Sequence, residues 1–185
     1  MSRNNVMKWD ELNIIREDAR RLFADGRKPD KDKLLDFCDY LDFILCLIYA
    51  YGWKDAEEIV GSVPFETGLD DKTVHQMIDG KDFKDRVLET QTAEEVIRII
   101  DTEAHRDYNT GVIDAAKRSG NPNLRKTWYT MLDDKVRDTH RYLEGMTVGI
   151  DDLFYTDDGD AAMFPGDFAD PANNINCRCF VLLSA

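Results

Sequence analysis

The change in hydrophobic periodicity at Gly120-Asn121-Pro122 constrains the fold more than any other feature of the sequence. Before this tripeptide, apolar residues recur every three or four positions, a spacing that predicts amphipathic helices. After it, residues 126–131, 146–148 and 179–183 have the patterns of short strands. We therefore predict an α+β fold with a helical N-terminal part, one long helix and a small, mainly antiparallel sheet that the C-terminal strand completes.

Residues that end or begin helices divide the helical part of the chain. The spacing of apolar residues predicts helices over 5–23, 31–51, 54–60 and 92–119, with shorter helical pieces around 73–78 and 134–143. We expect Gly52 to break the second helix, and Thr92 with Glu95 matches the capping-box pattern that opens a helix. Glycine and proline become frequent between residues 61 and 82, so we divide the chain into a helical region (1–78) and a second domain (79–185).

The composition excludes several classes of protein. The 185 residues are 43% hydrophobic, which is enough for a buried core and excludes global disorder. Lys and Arg number 24 against 37 Asp and Glu, a formal net charge of −13, so we expect weak or no direct binding to double-stranded DNA. The N-terminus lacks the apolar stretch of a signal peptide, and the apolar segment 43–51 is shorter than the ~20 residues of a membrane-spanning helix. We therefore expect a soluble protein with no membrane contact.

The apolar run Leu41–Tyr51 needs a partner even though it is too short to cross a membrane. Its residues are apolar on nearly every side of the predicted helix. Such a surface invites association when it is left in water. We expect this run to contact either the rest of the fold or another chain, including a second copy of this one.

Two polar clusters contain candidates for catalysis. Glu103 lies among residues 98–106, whose charge spacing is typical of a solvated, salt-bridged helix face with one buried glutamate. Asp134, Arg137 and His140 share one stripe if residues 134–143 are helical, so that Asp and His could form a base and the group that orients it. The other interpretation is structural, with Arg137 paired to Asp134 or Glu103. The sequence contains none of the standard phosphate-loop, dinucleotide, His-Glu-x-x-His or Gly-x-Ser-x-Gly signatures.

A third cluster, Cys177 and Cys179, supplies two soft ligands at the start of the predicted terminal strand. Zinc would need two more ligands, for which His140 and Asp134 are the candidates. Residues two apart in a strand point the same way, so both thiols can instead pack in the core as reduced, metal-free residues. We favour this second interpretation, because enough aromatic residues are present to build a core without a metal. The sequence therefore predicts no cofactor, with zinc as the alternative.

The polar and glycine positions from residue 79 to the C-terminus, taken in order, resemble a known family. The residues that carry the resemblance are Thr102-Glu103, Asn109, Gly111, Lys126-x-Trp128-x-x-Met131, Asp134-x-x-Arg137-x-x-His140, Leu143-x-Gly145-x-x-Val148, Phe154, Phe164-Pro165-Gly166-Asp167 and Asn176-Cys177-Arg178-Cys179. Together they resemble the phage Mu protein F family, the minor head or head morphogenesis proteins of tailed bacteriophages.

The resemblance implies a structural role rather than an enzymatic one. The implied protein is a low-copy component of the phage head, associated with the portal and other head proteins, that acts in capsid assembly or in DNA packaging or ejection. It would lie in the virion head, and in the host bacterial cytoplasm during assembly. The alternative is a hydrolase or transferase, directed at nucleic acid, in which Glu103, Asp134, Arg137 and His140 line one pocket.

Whether the protein is structural or enzymatic, the polar residues of segments 134–140 and 176–179 need hydrogen-bonding partners. Isolated Asp, Arg and His side chains are seldom buried without hydrogen bonds. We therefore predict that residues 134–140 pack against residues 176–179, with His140 and Cys177 closer than one helix diameter, about 10–12 Å.

Overall fold

The computed structural model describes residues 10–65, 77–78 and 80–185. Its helices are α1 (Asp10–Leu22), α2 (Lys31–Val60), α3 (Phe83–Glu89), α4 (Ala93–Arg118), α5 (Asp138–Arg141) and α6 (Pro171–Asn174). Its strands are β1 (Arg125–Tyr129), β2 (Thr147–Gly149), β3 (Phe154–Tyr155), β4 (Ala161–Ala162) and β5 (Phe180–Ser184). This is the predicted α+β architecture, with long helices first and the C-terminal strand in the sheet. The predicted helical residues 5–9 and 73–76 lie outside the described residues.

The long helix α4 begins where the capping signal predicts. The Thr92 hydroxyl accepts a hydrogen bond from the Glu95 backbone N–H (3.2 Å), and the Glu95 carboxylate accepts one from the Thr92 N–H (3.1 Å). Acidic residues lie in the first turn of the helix and basic residues in the last. Both charge placements oppose the helix dipole. The sequence therefore defines both ends of this helix locally.

The predicted break at Gly52 is wrong, because α2 continues without interruption from Lys31 to Val60. At Gly52, α2 lies directly against α4, and a Cβ on Gly52 would be 2.9 Å from the carbonyl carbon of Tyr108. On the facing helix, a Cβ on Gly111 would be 3.0 Å from the backbone nitrogen of Trp53. Each glycine thus allows the backbone of the other helix to approach closely. Packing at this contact outweighs the cost of about 1 kcal/mol that glycine carries inside a helix.

One hydrophobic core joins the two regions into which we divided the sequence. Leu41, Leu45 and Ile48 of α2 belong to the same cluster of buried side chains as Ile100 of α4 and Trp128 of β1. The fold therefore covers most of the apolar run Leu41–Tyr51. Among the helices that the structure describes, none is long and apolar enough to cross a membrane.

The sheet that holds the C-terminus has the strand order β2-β1-β5, and both pairings are antiparallel. Trp128 of β1 lies opposite Val181 of β5, and Lys126 lies opposite Leu183. Strands β3 and β4 form a separate two-stranded ladder within the acidic segment 151–170. Because β1 is central and both pairings are antiparallel, the end of β1 brings the segment before β2 and the start of β5 to the same region.

The short helix predicted over 134–143 is reduced to Asp138–Arg141. The Asp133 carboxylate accepts a hydrogen bond from the Lys135 backbone N–H (3.1 Å). Such local side-chain bonds stabilise turns in competition with helices. Asp134 and Arg137 therefore precede the helix, and the helical stripe that would have aligned them with His140 is not formed.

Candidate functional site

The central turns of α4 bury a run of polar residues, so the solvated helix face that the charge spacing indicated is wrong. Residues 102–110 of α4 are all buried. At their centre, Glu103 accepts hydrogen bonds from Arg86 of α3 (2.7 Å) and from Arg106 (3.3 Å). The Arg106 guanidinium also contacts the Asp107 carboxylate. Two carboxylates and two guanidiniums thus compensate one another inside the protein, as buried charges require.

Asp107 is a buried acid that the sequence analysis missed. Its side chain is completely enclosed, and burial raises its pKa well above the ordinary value even though Arg106 opposes the shift. Asp107 follows Ile100 and Ala104 and precedes Gly111 on a stripe with spacings of four, three and four residues. That stripe faces the core, so the helical spacing was the signal that could have identified it.

Two polar residues of α4 bind the C-terminal segments. The His105 Nε2 lies 2.6 Å from the carbonyl oxygen of Cys179, to which it donates. The Asn109 side-chain amide donates to the Pro165 carbonyl (3.2 Å). Gly166 has a φ of +99°, and a Cβ there would lie 3.2 Å from the α4 backbone. The segments around Pro165 and Cys179, which are separate in the family pattern, therefore both contact residues 105–109 of α4.

Lys126 is buried within the sheet. Its ammonium donates to the Ile150 carbonyl (2.9 Å) and to the Met163 sulfur (2.6 Å), and it lies 5.5 Å from the centre of the Phe154 ring. Burial lowers the pKa of Lys126 to about 8, and the charge of Lys117 adds to this shift. The side chain therefore joins β1 to the segments after β2 and β4.

His140 and the two cysteines converge next to the start of β5. The His140 Nδ1 lies 3.6 Å from the Cys177 sulfur and 3.5 Å from the Cys179 sulfur. The three potential ligand atoms all lie within 4.8 Å of one another, and the three residues are buried. The predicted packing of residues 134–140 against residues 176–179 is confirmed.

Local structure fixes the orientation of each member of this cluster. The Phe168 ring stacks on the His140 imidazole at 5.2 Å with an interplanar angle of 25°, and the Trp128 ring meets it edge-on at 5.8 Å. Asn176, with a φ of 58°, adopts the left-handed conformation that asparagine tolerates better than most residues. This turn directs Cys177 towards the imidazole.

The two thiols have opposite pKa shifts. A hydrogen bond from Cys179 lowers the pKa of Cys177, and the His140 imidazole lowers it further. The same thiol–thiol contact, together with burial, raises the pKa of Cys179. Two cysteine sulfurs and an imidazole form a donor set that suits zinc once both thiols are deprotonated.

The four candidates for catalysis do not form one pocket. Arg137 and His140 border the same small cavity, whose lining includes neither Glu103 nor Asp134. Asp134 is exposed, and Glu103 belongs to the arginine network of α4. Arg137 donates to the Ile175 carbonyl, so its predicted pairing with a carboxylate is wrong. The acid–base constellation expected of an enzyme is thus not assembled from these residues.

Arg178 pairs with a residue outside the expected set. Its guanidinium donates two hydrogen bonds to the Asp133 carboxylate, at 2.7 and 2.8 Å, and this contact lowers the pKa of Asp133. The fork geometry holds the turn before α5 against the start of β5. The two residues are 45 positions apart, so no local spacing in the sequence could reveal the pair.

Comparison with known proteins identifies the relatives of this chain. The model of the family described as phage Mu protein F like protein matches residues 67–182. Minor head protein GP7 of Bacillus phage SPP1 is 30% identical over 82 residues, which are 44% of this chain and 27% of that protein. NAD(+)–arginine ADP-ribosyltransferase EFV of Enterococcus faecalis is 34% identical over 88 residues, 46% of this chain and 18% of that protein.

The matches differ in how much of each protein they cover. The chain spans less than a third of the length of either relative. No solved structure has a significant match to it. The family match, in contrast, covers well over half of the chain and includes α4, the sheet and the His140 cluster. The chain therefore belongs to the phage Mu protein F-like family of bacteriophage head proteins.

Proposed function

We propose that this chain is a low-copy, portal-associated component of the phage head that acts in capsid assembly or in DNA packaging or ejection. The observation that carries the proposal is the similarity to a minor head protein, within a family whose model matches residues 67–182. Its place would be the virion head, and the host bacterial cytoplasm while heads are assembled.

The polar residues that carry the family resemblance are buried and bind other groups of the same chain, which supports a structural role. Glu103, Asn109, Lys126 and His140 are each no more than 1% exposed. Glu103 binds arginines, while Asn109 and Lys126 donate to backbone carbonyls. Side chains bound in this way hold segments of the fold together and do not reach a substrate. Contacts with other head proteins must then come from the outer surface.

An exposed apolar stripe on α2 is the surface that we propose for self-association. Tyr40 and Phe43 are 41% and 59% exposed, and Leu47 is half-buried. Their spacing of three and four residues places them on one side of the helix. The stripe combines Tyr40 with Phe43 and Leu47, two residues of the apolar run Leu41–Tyr51 that the fold leaves at least partly accessible.

The role in the head can be tested by counting and crosslinking. Heads from cells that produce the tagged chain are purified on a density gradient, and the ratio of the chain to the portal protein is measured by quantitative mass spectrometry. We expect the chain to remain in purified heads at a low copy number and to crosslink to the portal. Absence from purified heads, or a normal yield of DNA-filled heads after deletion of the gene, would contradict the proposal.

The self-association can be tested separately by light scattering of the purified chain. We expect Phe43→Lys to shift the protein towards monomer, because a charge in an apolar interface must be desolvated. Ile59→Lys is the matched control, since Ile59 is 50% exposed on the same helix but lies away from the stripe. A monomeric wild-type chain, or equal effects of the two substitutions, would refute self-association through this stripe and leave the role in the head unaffected.

A further inference from the structure

The two nitrogen–sulfur distances within the His140, Cys177 and Cys179 cluster match those of a tetrahedral metal centre. Zinc lies about 2.3 Å from thiolate sulfur and about 2.0–2.1 Å from imidazole nitrogen, so tetrahedral geometry separates a sulfur from a nitrogen by about 3.6 Å. The observed separations from the His140 Nδ1 are 3.6 Å to Cys177 and 3.5 Å to Cys179. Both edges therefore have the length that a shared zinc ion would impose.

Hydrogen bonding explains this arrangement less completely. A neutral imidazole nitrogen either donates one hydrogen bond or accepts one, and an imidazolium nitrogen donates one. The His140 Nδ1 is nevertheless almost equidistant from two sulfur atoms. A linear hydrogen bond would favour one sulfur over the other, whereas an ion between the three atoms would bind all three.

The surroundings leave room for a fourth ligand and a route of access. A cavity lined by His140, Cys177 and Cys179 has about 10 Å³ available to the centre of a water molecule, which is close to the space that one water needs. Next to it, a groove of about 600 Å³ reaches Cys177 and is open enough to admit a hydrated ion. Asp134, the fourth ligand considered from the sequence, is exposed and does not line this cavity.

We propose that His140, Cys177 and Cys179 bind one zinc ion, with a water molecule in the fourth position. The sequence favoured metal-free thiols because a core of this size does not need a metal to fold. The size of the core decides whether folding needs a metal, but it does not decide whether these three side chains can bind one. Zinc would join α5 to the start of β5 and so anchor the terminal strand. This inference is independent of the proposed role in the phage head.

The test uses the full chain, purified from zinc-supplemented cells without chelator. We expect elemental analysis to find about one zinc per chain, and EDTA to lower the melting temperature. After removal of zinc, one equivalent of Co²⁺ should produce the intense visible bands of a tetrahedral ion and a near-ultraviolet thiolate-to-cobalt band. Because these spectra are recorded on the wild-type protein, they do not depend on the folding of a variant.

Variants then assign the ligands. His140→Asn and Cys177→Ser should each weaken zinc binding at least tenfold, since loss even of an outer-shell partner costs about 10–100-fold. Cys46→Ser is the matched control, because Cys46 is a free cysteine outside the cluster, and it should retain zinc and both cobalt bands. Folded wild-type protein with neither zinc nor cobalt bands would overturn the proposal. Undiminished zinc binding by Cys177→Ser would also overturn it.

Discussion

The close contact between Gly52 and Gly111 makes Gly111→Ala the most informative single substitution for the fold. The new Cβ would lie 3.0 Å from the Trp53 nitrogen, and on Gly52 a Cβ would lie 2.9 Å from the Tyr108 carbonyl carbon. In each case the carbonyl oxygen of the facing helix is closer still. Ordinary contact begins near 3.4 Å, so helices α2 and α4 must separate, by about 1 Å in a core packed as tightly as a crystal.

The energy of this separation sets the expected effect. Overpacking a core costs about 1–3 kcal/mol, and the upper end applies because backbone atoms cannot rotate away as side chains do. The better helix propensity of alanine returns about 1 kcal/mol. We therefore expect Gly111→Ala to lower the free energy of unfolding by about 2 kcal/mol, or the melting temperature by about 4–8 °C.

The assay is urea denaturation followed by circular dichroism, with a matched pair as control. Lys54 is exposed on α2, so Lys54→Gly against Lys54→Ala measures the propensity difference alone, and alanine should be better by about 1 kcal/mol. One separation of the helices accommodates both new Cβ atoms, so Gly52→Ala with Gly111→Ala should cost about 1–2 kcal/mol less than the sum of the single effects. If Gly111→Ala were as stable as the wild type, the steric argument would be refuted.

Three further predictions concern charge and capping. The pKa of Lys126 is about 8 in the folded state and near 10.5 in the unfolded state, so the wild type gains stability as the pH rises between these values. The free energy of unfolding of Lys126→Met relative to the wild type, measured with urea, should therefore fall by about 1–3 kcal/mol from pH 7 to pH 10. A difference that stays constant with pH would contradict the lowered pKa. Thr92→Ala removes the hydroxyl of the capping box and should cost about 1 kcal/mol in the same assay, whereas no loss would show that the cap does not contribute. Binding to double-stranded DNA should be weak, because the net charge is −13 and each local cluster offers only about two to four basic side chains to phosphates, which gives a salt slope of about −2 to −4. Sub-micromolar affinity in fluorescence anisotropy at about 150 mM salt would contradict this expectation.

Much of the site could be predicted because the residue types in its segments already show that they need partners. The approach of residues 134–140 to residues 176–179 followed from the need of polar groups for partners, and the structure confirms it. The pairing of Arg178 with Asp133 had no such signal, since a turn residue and a strand residue become neighbours only after the sheet forms. The resemblance identified the residues of the site but did not specify which of them touch.

The sequence by itself determined the class of fold, the limits of α4 and the approximate positions of the three strands in the main sheet, although not those of β3 and β4. These properties depend on local energies, such as helical periodicity and the reciprocal hydrogen bonds of Thr92 and Glu95. Only the tertiary structure decided whether Gly52 ends a helix or packs within one, and which arginines bind the buried Glu103. In both cases the local sequence permits more than one state, and the free energy of contacts with segments distant in sequence selects one. The sequence predicted that His140 and Cys177 approach each other, but their separation of 3.6 Å depends on the packing of α5 beside β5, because the two residues lie 37 positions apart in the chain.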